Sequence, residues 1–233
     1  MTTKALFGFT LAEVLITLGI IGIVAAMTIP TLMTNNQSKK LKSQFLKSYS
    51  TISQAYRLML ENDDSVSNSD YSRSEFYKTF VKHLKVAIDC GNYYSERNNN
   101  TPCYAPNYKD FKYKSLDGTI LNNPGERLLD DGTLVLTDGT TLYFENNLEQ
   151  NNRIYISVDL NGIKGKPNIW GYDLFTFQLI NDEIIPMGDP KSDFTVEEYC
   201  NIKNKSFLNG ISCAKKALSE SDYFDKIIKN IKK

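Results

Sequence analysis

From Phe9 to Ile29 the chain runs twenty-one residues with one formal charge, Glu13. Wound as a helix, that stretch would be roughly 30 Å long, about one hydrocarbon core. Apolar residues continue to Met33, interrupted by Gly19, Gly22 and Pro30. Membrane helices tolerate such interruptions better than water-soluble ones. Glu13 is the odd residue. At mid-helix a carboxylate costs about 2.5–3.5 kcal/mol on insertion scales, and less towards the interface. It needs a partner or a function.

Residues 1–8 precede the run as a short leader. They lack the apolar region and the Ala-x-Ala site of an ordinary secretory signal, because the apolar part follows them. Lys4-Ala5-Leu6-Phe7-Gly8, followed by Phe9-Thr10-Leu11-Ala12-Glu13-Val14-Leu15-Ile16, resembles the leader and N-terminal helix of type IV pilins and type II secretion pseudopilins. The resemblance covers about residues 1–60. It implies cleavage between Gly8 and Phe9 by a prepilin peptidase, N-methylation of the new terminal Phe9, and a role for Glu13 in subunit docking. It also implies that Gly22 and Pro30 bound a segment able to loosen in filaments. Ala12 departs from the larger aliphatic residue often found there, which weakens a side-chain contact at most. An uncleaved signal anchor would explain the apolar run, but not Gly8, Phe9 and Glu13 at these spacings.

Beyond Met33 a second pattern begins. Leu41, Phe45, Leu46, Tyr49, Ile52, Ala55, Tyr56, Met59 and Leu60 recur at three- and four-residue steps, predicting an amphipathic continuation with one apolar stripe for a head to pack on. Glu61 to Ser74 is polar and ends it. A second helix is expected over about 74–88, capped by Ser72 or Ser74, with Phe76, Phe80, Leu84 and Ile88 four residues apart. Residues 90–114 read as an irregular loop. Strands follow at Thr133–Thr137 and Thr140–Phe144, joined across Asp138-Gly139, then at Arg153–Asp159 and Phe175–Ile180, with a turn at Asn181-Asp182 before Ile184-Ile185-Pro186. Ser219 to Lys232 predicts a final helix with a stripe of Tyr223, Phe224, Ile227, Ile228 and Ile231, capped by Ser219 or Ser221. The expected fold class is α+β: a long N-terminal helix packed on an antiparallel sheet with short helices. The segments are a leader 1–8, a membrane or filament-core helix 9–33, its amphipathic continuation 34–62, and a head 63–233.

The 233 residues leave about 200 outside the leader and apolar helix, enough for one sizeable core or two small ones. Twenty-seven basic and twenty-seven acidic residues cancel, and no basic face with interleaved aromatics suggests nucleic acid. The four cysteines fall as two close pairs, Cys90/Cys103 and Cys200/Cys213; none forms a Cys-x-x-Cys, and His83 is the only histidine, so zinc spacing is lacking. Paired cysteines beyond an export segment read as disulfides in an oxidising compartment. Closing the two short loops is the easiest of the three possible pairings. One pattern opposes this topology: Lys39, Lys40, Lys42 and Lys47 follow the apolar run, and the positive-inside rule would keep that side in the cytoplasm. The leader motif and the cysteines outweigh it.

Two kinds of chemistry are conceivable from the residues. Asp159-Leu160-Asn161-Gly162, with Asp173 beyond, resembles part of a calcium loop, in which oxygens on alternate residues converge on a hard ion. The twelfth position holds Trp170 instead of the closing glutamate, and such loops are more often turns with side-chain-to-backbone bonds. Asp159, Asn161 and Asp173 are thus a structural turn first and a calcium candidate second. For catalysis there is no Gly-x-Ser-x-Gly elbow, no phosphate-binding glycine loop, and no triad context for His83. The expected function is a non-enzymatic, prepilin-like subunit, stored in the inner membrane with N-terminus cytoplasmic and head periplasmic, then assembled into a type IV pilus or type II secretion pseudopilus. Implied partners are the prepilin peptidase, other pilin subunits, an assembly platform and an assembly ATPase. The rival is a monomeric, membrane-anchored periplasmic binding protein.

Overall fold

The computed structural model describes residues 8–62, 75–92, 103, 112–121, 128–147, 153–162 and 164–231. A single helix, α1 (Leu11–Asn62), takes in both apolar patterns without a break. At 52 residues it is about 78 Å long. Pro30 sits inside it. Along its lower part, Thr17, Thr28 and Thr34 return their hydroxyls to the carbonyls of Glu13, Val24 and Pro30 at 2.9 Å each. That leaves these side chains no need of water, as a lipid environment requires.

The rest of the described chain is built on the upper part of α1. Six strands form one antiparallel sheet in sequence order: β1 (Val86–Gly91), β2 (Gly132–Leu136), β3 (Thr141–Asn147), β4 (Arg153–Asp159), β5 (Leu174–Ile180) and β6 (Glu183–Pro186). Short helices flank it: α2 (Glu75–Phe80), α3 (Val196–Tyr199), α4 (Cys213–Ser219) and α5 (Tyr223–Ile231). This is the expected α+β arrangement.

Alternation along the strands assigns two faces. Leu142, Phe144, Ile154, Ile156, Val158, Phe175 and Phe177 join the core beneath α1, while Tyr143, Tyr155 and Leu174 join a second core on the reverse side with Tyr113, Trp170 and Met187. Phe45 is the hub on the helix side, its ring 4.7 Å from Phe175, 5.9 Å from Phe177 and 5.8 Å from Phe224. Leu41, Phe45, Ile52, Ala55, Tyr56 and Met59 are buried as the stripe requires; Leu46 instead stays exposed.

The Asp138-Gly139 hairpin joins β2 and β3, pairing Leu134 with Leu142. Gly139 takes a positive φ of 86°, and the Asp138 carboxylate accepts the Thr140 N–H. Asn181 and Asp182 both have positive φ, 50° and 60°, as a two-residue hairpin turn demands.

Two expectations are corrected. The helix predicted over 74–88 ends at Phe80, passes through a 3-10 turn at Val81–His83, and gives way to β1. Phe76 and Phe80 do pack on Phe144. The β-branched Val86 and Ile88, however, find better partners in Leu136 and Val135 across the ladder. Its proposed caps, Ser72 and Ser74, lie outside the described residues, as does most of the predicted loop 90–114. The final helix starts at Tyr223, because Ser219 belongs to the end of α4.

Cys90 bonds Cys103, and Cys200 bonds Cys213, the local pairing expected. Loops of 13 residues' separation contribute roughly 3 kcal/mol each in the chain-entropy model. The second bridge lies in the main core and ties α4 to the turn after α3.

Candidate functional site

The N-terminal tip of α1 carries the residues singled out by the leader motif. Thr10 is the residue before the first helical position, and Glu13 is the third helical residue. The Thr10 N–H donates to Glu13 Oε2 at 2.9 Å, the Thr10 hydroxyl donates to the same oxygen at 2.8 Å, and the Glu13 N–H donates back to Thr10 Oγ1 at 3.2 Å. This reciprocal arrangement is a capping box: two otherwise orphaned N–H groups are satisfied by side chains. The Thr-x-x-Glu spacing, just ahead of an apolar run, is itself the sequence signature of such a box. Both partners lie beyond the Gly8–Phe9 bond, so the box survives a cut there. It also holds the carboxylate against the second residue of the shortened chain, close to where a new amino group would arise.

Gly8 has nothing within 4 Å of where a Cβ would stand. Phe9 is 90% exposed. Residues 1–7, including Lys4, lie outside the described residues. Gly22 likewise meets nothing within 4 Å. No side chain from Phe9 to Met33 is buried by the head. This is the one helix in the described chain long and apolar enough to cross a membrane.

Asp159, Asn161 and Asp173 do come together. Both carboxylates are fully buried. Asp173 accepts the N–H groups of Asn168 at 2.9 Å and Ile169 at 2.6 Å. Asp159 accepts the Tyr113 hydroxyl and the Asn161 N–H. With the Asn161 amide turned to suit its neighbours, its nitrogen donates to Asp159 Oδ1 at 2.8 Å and to the Gly165 carbonyl at 3.1 Å. The chain's own donors thus hold the loop, which is the work of a side-chain-stabilised turn. Burial raises both carboxyls, and their mutual repulsion adds to the rise in Asp159; Asp173 is pushed up to about 6. Burial, and then the charge of Asp159, pushes the Tyr113 hydroxyl well up.

A second acidic group went unnoticed in the sequence. Asp130, Asp131 and Glu145 are buried, with ligating oxygens within 4.8 Å of one another. Only the β2–β3 pairing brings Glu145 beside the aspartates, so no local motif announces it. Asp131 also accepts the Asn146 N–H at 2.8 Å, and all three make further interactions. His83 lies at the end of the 3-10 turn, lining a groove with Lys47 and Leu58. A cleft of about 490 Å³ opens between α3, α4 and α5 beside Val196, Cys200, Lys216, Tyr223 and Ile227.

No family model, no curated protein and no solved structure matches the chain.

Proposed function

We propose that this chain is a prepilin-like structural subunit, cut after Gly8, stored as a single-pass protein of the inner membrane and assembled into a type IV pilus or type II secretion pseudopilus. One observation carries the proposal: half of a continuous helix is left bare by its own head and ends in a carboxylate folded back on the residues next to the expected cut. A monomer has no use for that half beyond anchoring. A filament buries it among copies of itself. There Glu13 and a neighbour's Phe9 amino group, each costly alone outside water, offset one another and set the axial stagger. The N-terminus is cytoplasmic and the head periplasmic, where both disulfides persist. The partners are the prepilin peptidase, an assembly platform, an assembly ATPase and other pilins.

An anchored binding protein would use the cleft beside Tyr223 and has no need of Glu13. Mass spectrometry of the native N-terminus separates the two. The expected species starts at a methylated Phe9, and Gly8→Val leaves the precursor uncut, since a side chain there obstructs the extended chain in a protease cleft. An intact Met1 in the native protein overturns the proposal.

A further inference from the structure

The lysines that oppose the expected topology are sorted by the fold. Lys47 pairs with Asp138 at 2.7 Å, and Lys42 donates to the Ser221 carbonyl at 3.1 Å. Lys39 and Lys40 are exposed and meet no carboxylate among the described residues. They sit where the bare half of α1 gives way to the head. Gln37 donates to the Tyr172 hydroxyl at 2.6 Å, and Gln44 to the Leu160 carbonyl at 3.1 Å. Those two bonds fasten the loop 160–172 to the same turns of helix. That loop carries Lys164 and Lys166, both exposed and likewise without a carboxylate partner among the described residues. Four ammonium groups without a carboxylate partner among the described residues therefore lie on these turns of α1 and on the loop fastened to them, the lower rim of the head. Against them stand Glu220, Asp222 and Asp225 at the start of α5, of which Lys226 contacts Glu220 at 3.6 Å and Asp222 at 2.9 Å.

The helix fixes their height. From Met33, the last residue of the apolar run, to Lys39 is about 9 Å of axial rise. A headgroup layer is roughly 5–7 Å thick. Lys39 and Lys40 thus stand within a Debye length, about 10 Å at 0.1 M salt, of the lipid phosphates, and lysine stems extend their charges further. We propose that the lower rim of the head is a lipid-docking surface, on which Lys39, Lys40, Lys164 and Lys166 take the anionic phospholipid headgroups of the leaflet from which α1 emerges. This rests on α1 crossing the membrane, and on nothing else in the functional proposal. It gives the four charges a use on whichever side the head lies. It also seats the head upright on the bilayer while the subunit waits to be assembled.

The test uses the full chain, one copy per nanodisc, in phosphatidylcholine alone or with phosphatidylglycerol added, and follows acetylation of each lysine by mass spectrometry. Lys39, Lys40, Lys164 and Lys166 are expected to react about fivefold more slowly in the anionic discs, and high salt is expected to abolish the difference. Lys78, exposed on α2, which packs on Phe144 at the opposite end of β2 from the Asp138-Gly139 turn, should react equally in both. Equal rates for the four rim lysines in both lipids, with the protein still in the disc fraction, would overturn the docking surface and leave the membrane span standing. Protein missing from the disc fraction would remove the span and this inference with it. Protection that arises only with several copies per disc would assign the lysines to a neighbouring subunit's acids and overturn the proposal as well.

Discussion

The two halves of α1 share one backbone and almost nothing else. Below Met33 no side chain is buried; above Gln37, Ser38, Leu41, Phe45, Ser48, Ile52, Ala55, Tyr56 and Met59 are. The upper half is held by its own head: a stripe at three- and four-residue steps faces a sheet whose alternating residues meet it. Among the described residues the lower half bonds only within itself, through threonine hydroxyls and the Thr10–Glu13 box. A helix so divided teaches that helicity and burial are separate matters. Backbone bonds carry the helix through both halves, while side-chain packing decides which half the head's stability depends on.

The sharpest way to break the contrast is to truncate the hub of the upper half. Phe45 is 1% exposed and touches three aromatic rings. Phe45→Ala should cost about 3–5 kcal/mol, read as a fall in the denaturant midpoint of the head in detergent. Ile23→Ala, the same kind of truncation in the lower half, should leave that midpoint in place. A comparable loss from both would mean that the head leans on the bare half after all.

The head also holds a feature that responds to pH, and the lower half should not affect it. Asp159 and Asp173 are raised by burial, Asp173 to about 6. In the unfolded chain both titrate near 4. Between these values the folded state binds more protons than the unfolded one, so stability falls as pH rises through the window. Asp117, Asp138, Asp189 and Asp222 are lowered, so their opposite contributions fall below pH 4 and do not mask it. The head should lose about 2 kcal/mol from pH 4 to pH 7. Asp159→Asn should reduce that slope, because it removes one of the two raised carboxyls; Tyr113 can turn its hydroxyl to Tyr143, 3.0 Å away. An unchanged slope in the variant would show that this pair does not set it.

How much of this division the sequence announced depends on the range of the interactions. The apolar run, the upper stripe, the Asp138-Gly139 hairpin and β4 were legible because neighbours in sequence decide them. β1 was not: Phe76, Phe80, Leu84 and Ile88 keep a helical spacing, and only Val135 and Leu136, some fifty residues on, draw Val86 and Ile88 into a strand. Ser219 was misplaced for a similar reason, since a serine that caps one helix and one that ends another look alike until the packing is known. The loop residues Asp159, Asn161 and Asp173 lie close in sequence, and the turn brings them together. Asp130, Asp131 and Glu145 were invisible, being joined by strand pairing alone.

The smallest expected effect on the head belongs to Glu13, and there the contrast between the halves is put most directly. Glu13 lies about 36 Å along the helix from Gln37, the head's lowest bond to α1, and among the described residues its carboxylate bonds Thr10 alone. Glu13→Ala removes the capping box, which is worth about 1 kcal/mol to the first turn. That loss frays the tip and leaves the head's midpoint in place. Filament yield in a shear assay should nonetheless collapse, because the carboxylate's second partner belongs to another subunit. Glu13→Gln separates the two roles. A glutamine oxygen still accepts from Thr10 and keeps the cap, but it carries no charge to offset a neighbour's amino group. If capping is what assembly needs, the glutamine variant forms filaments and the alanine variant does not. If the charge sets the register, both fail alike while both heads unfold at the wild-type midpoint. Wild-type filament yield from Glu13→Ala would mean that neither role matters, and that the bare half of α1 is aligned by its apolar surface alone.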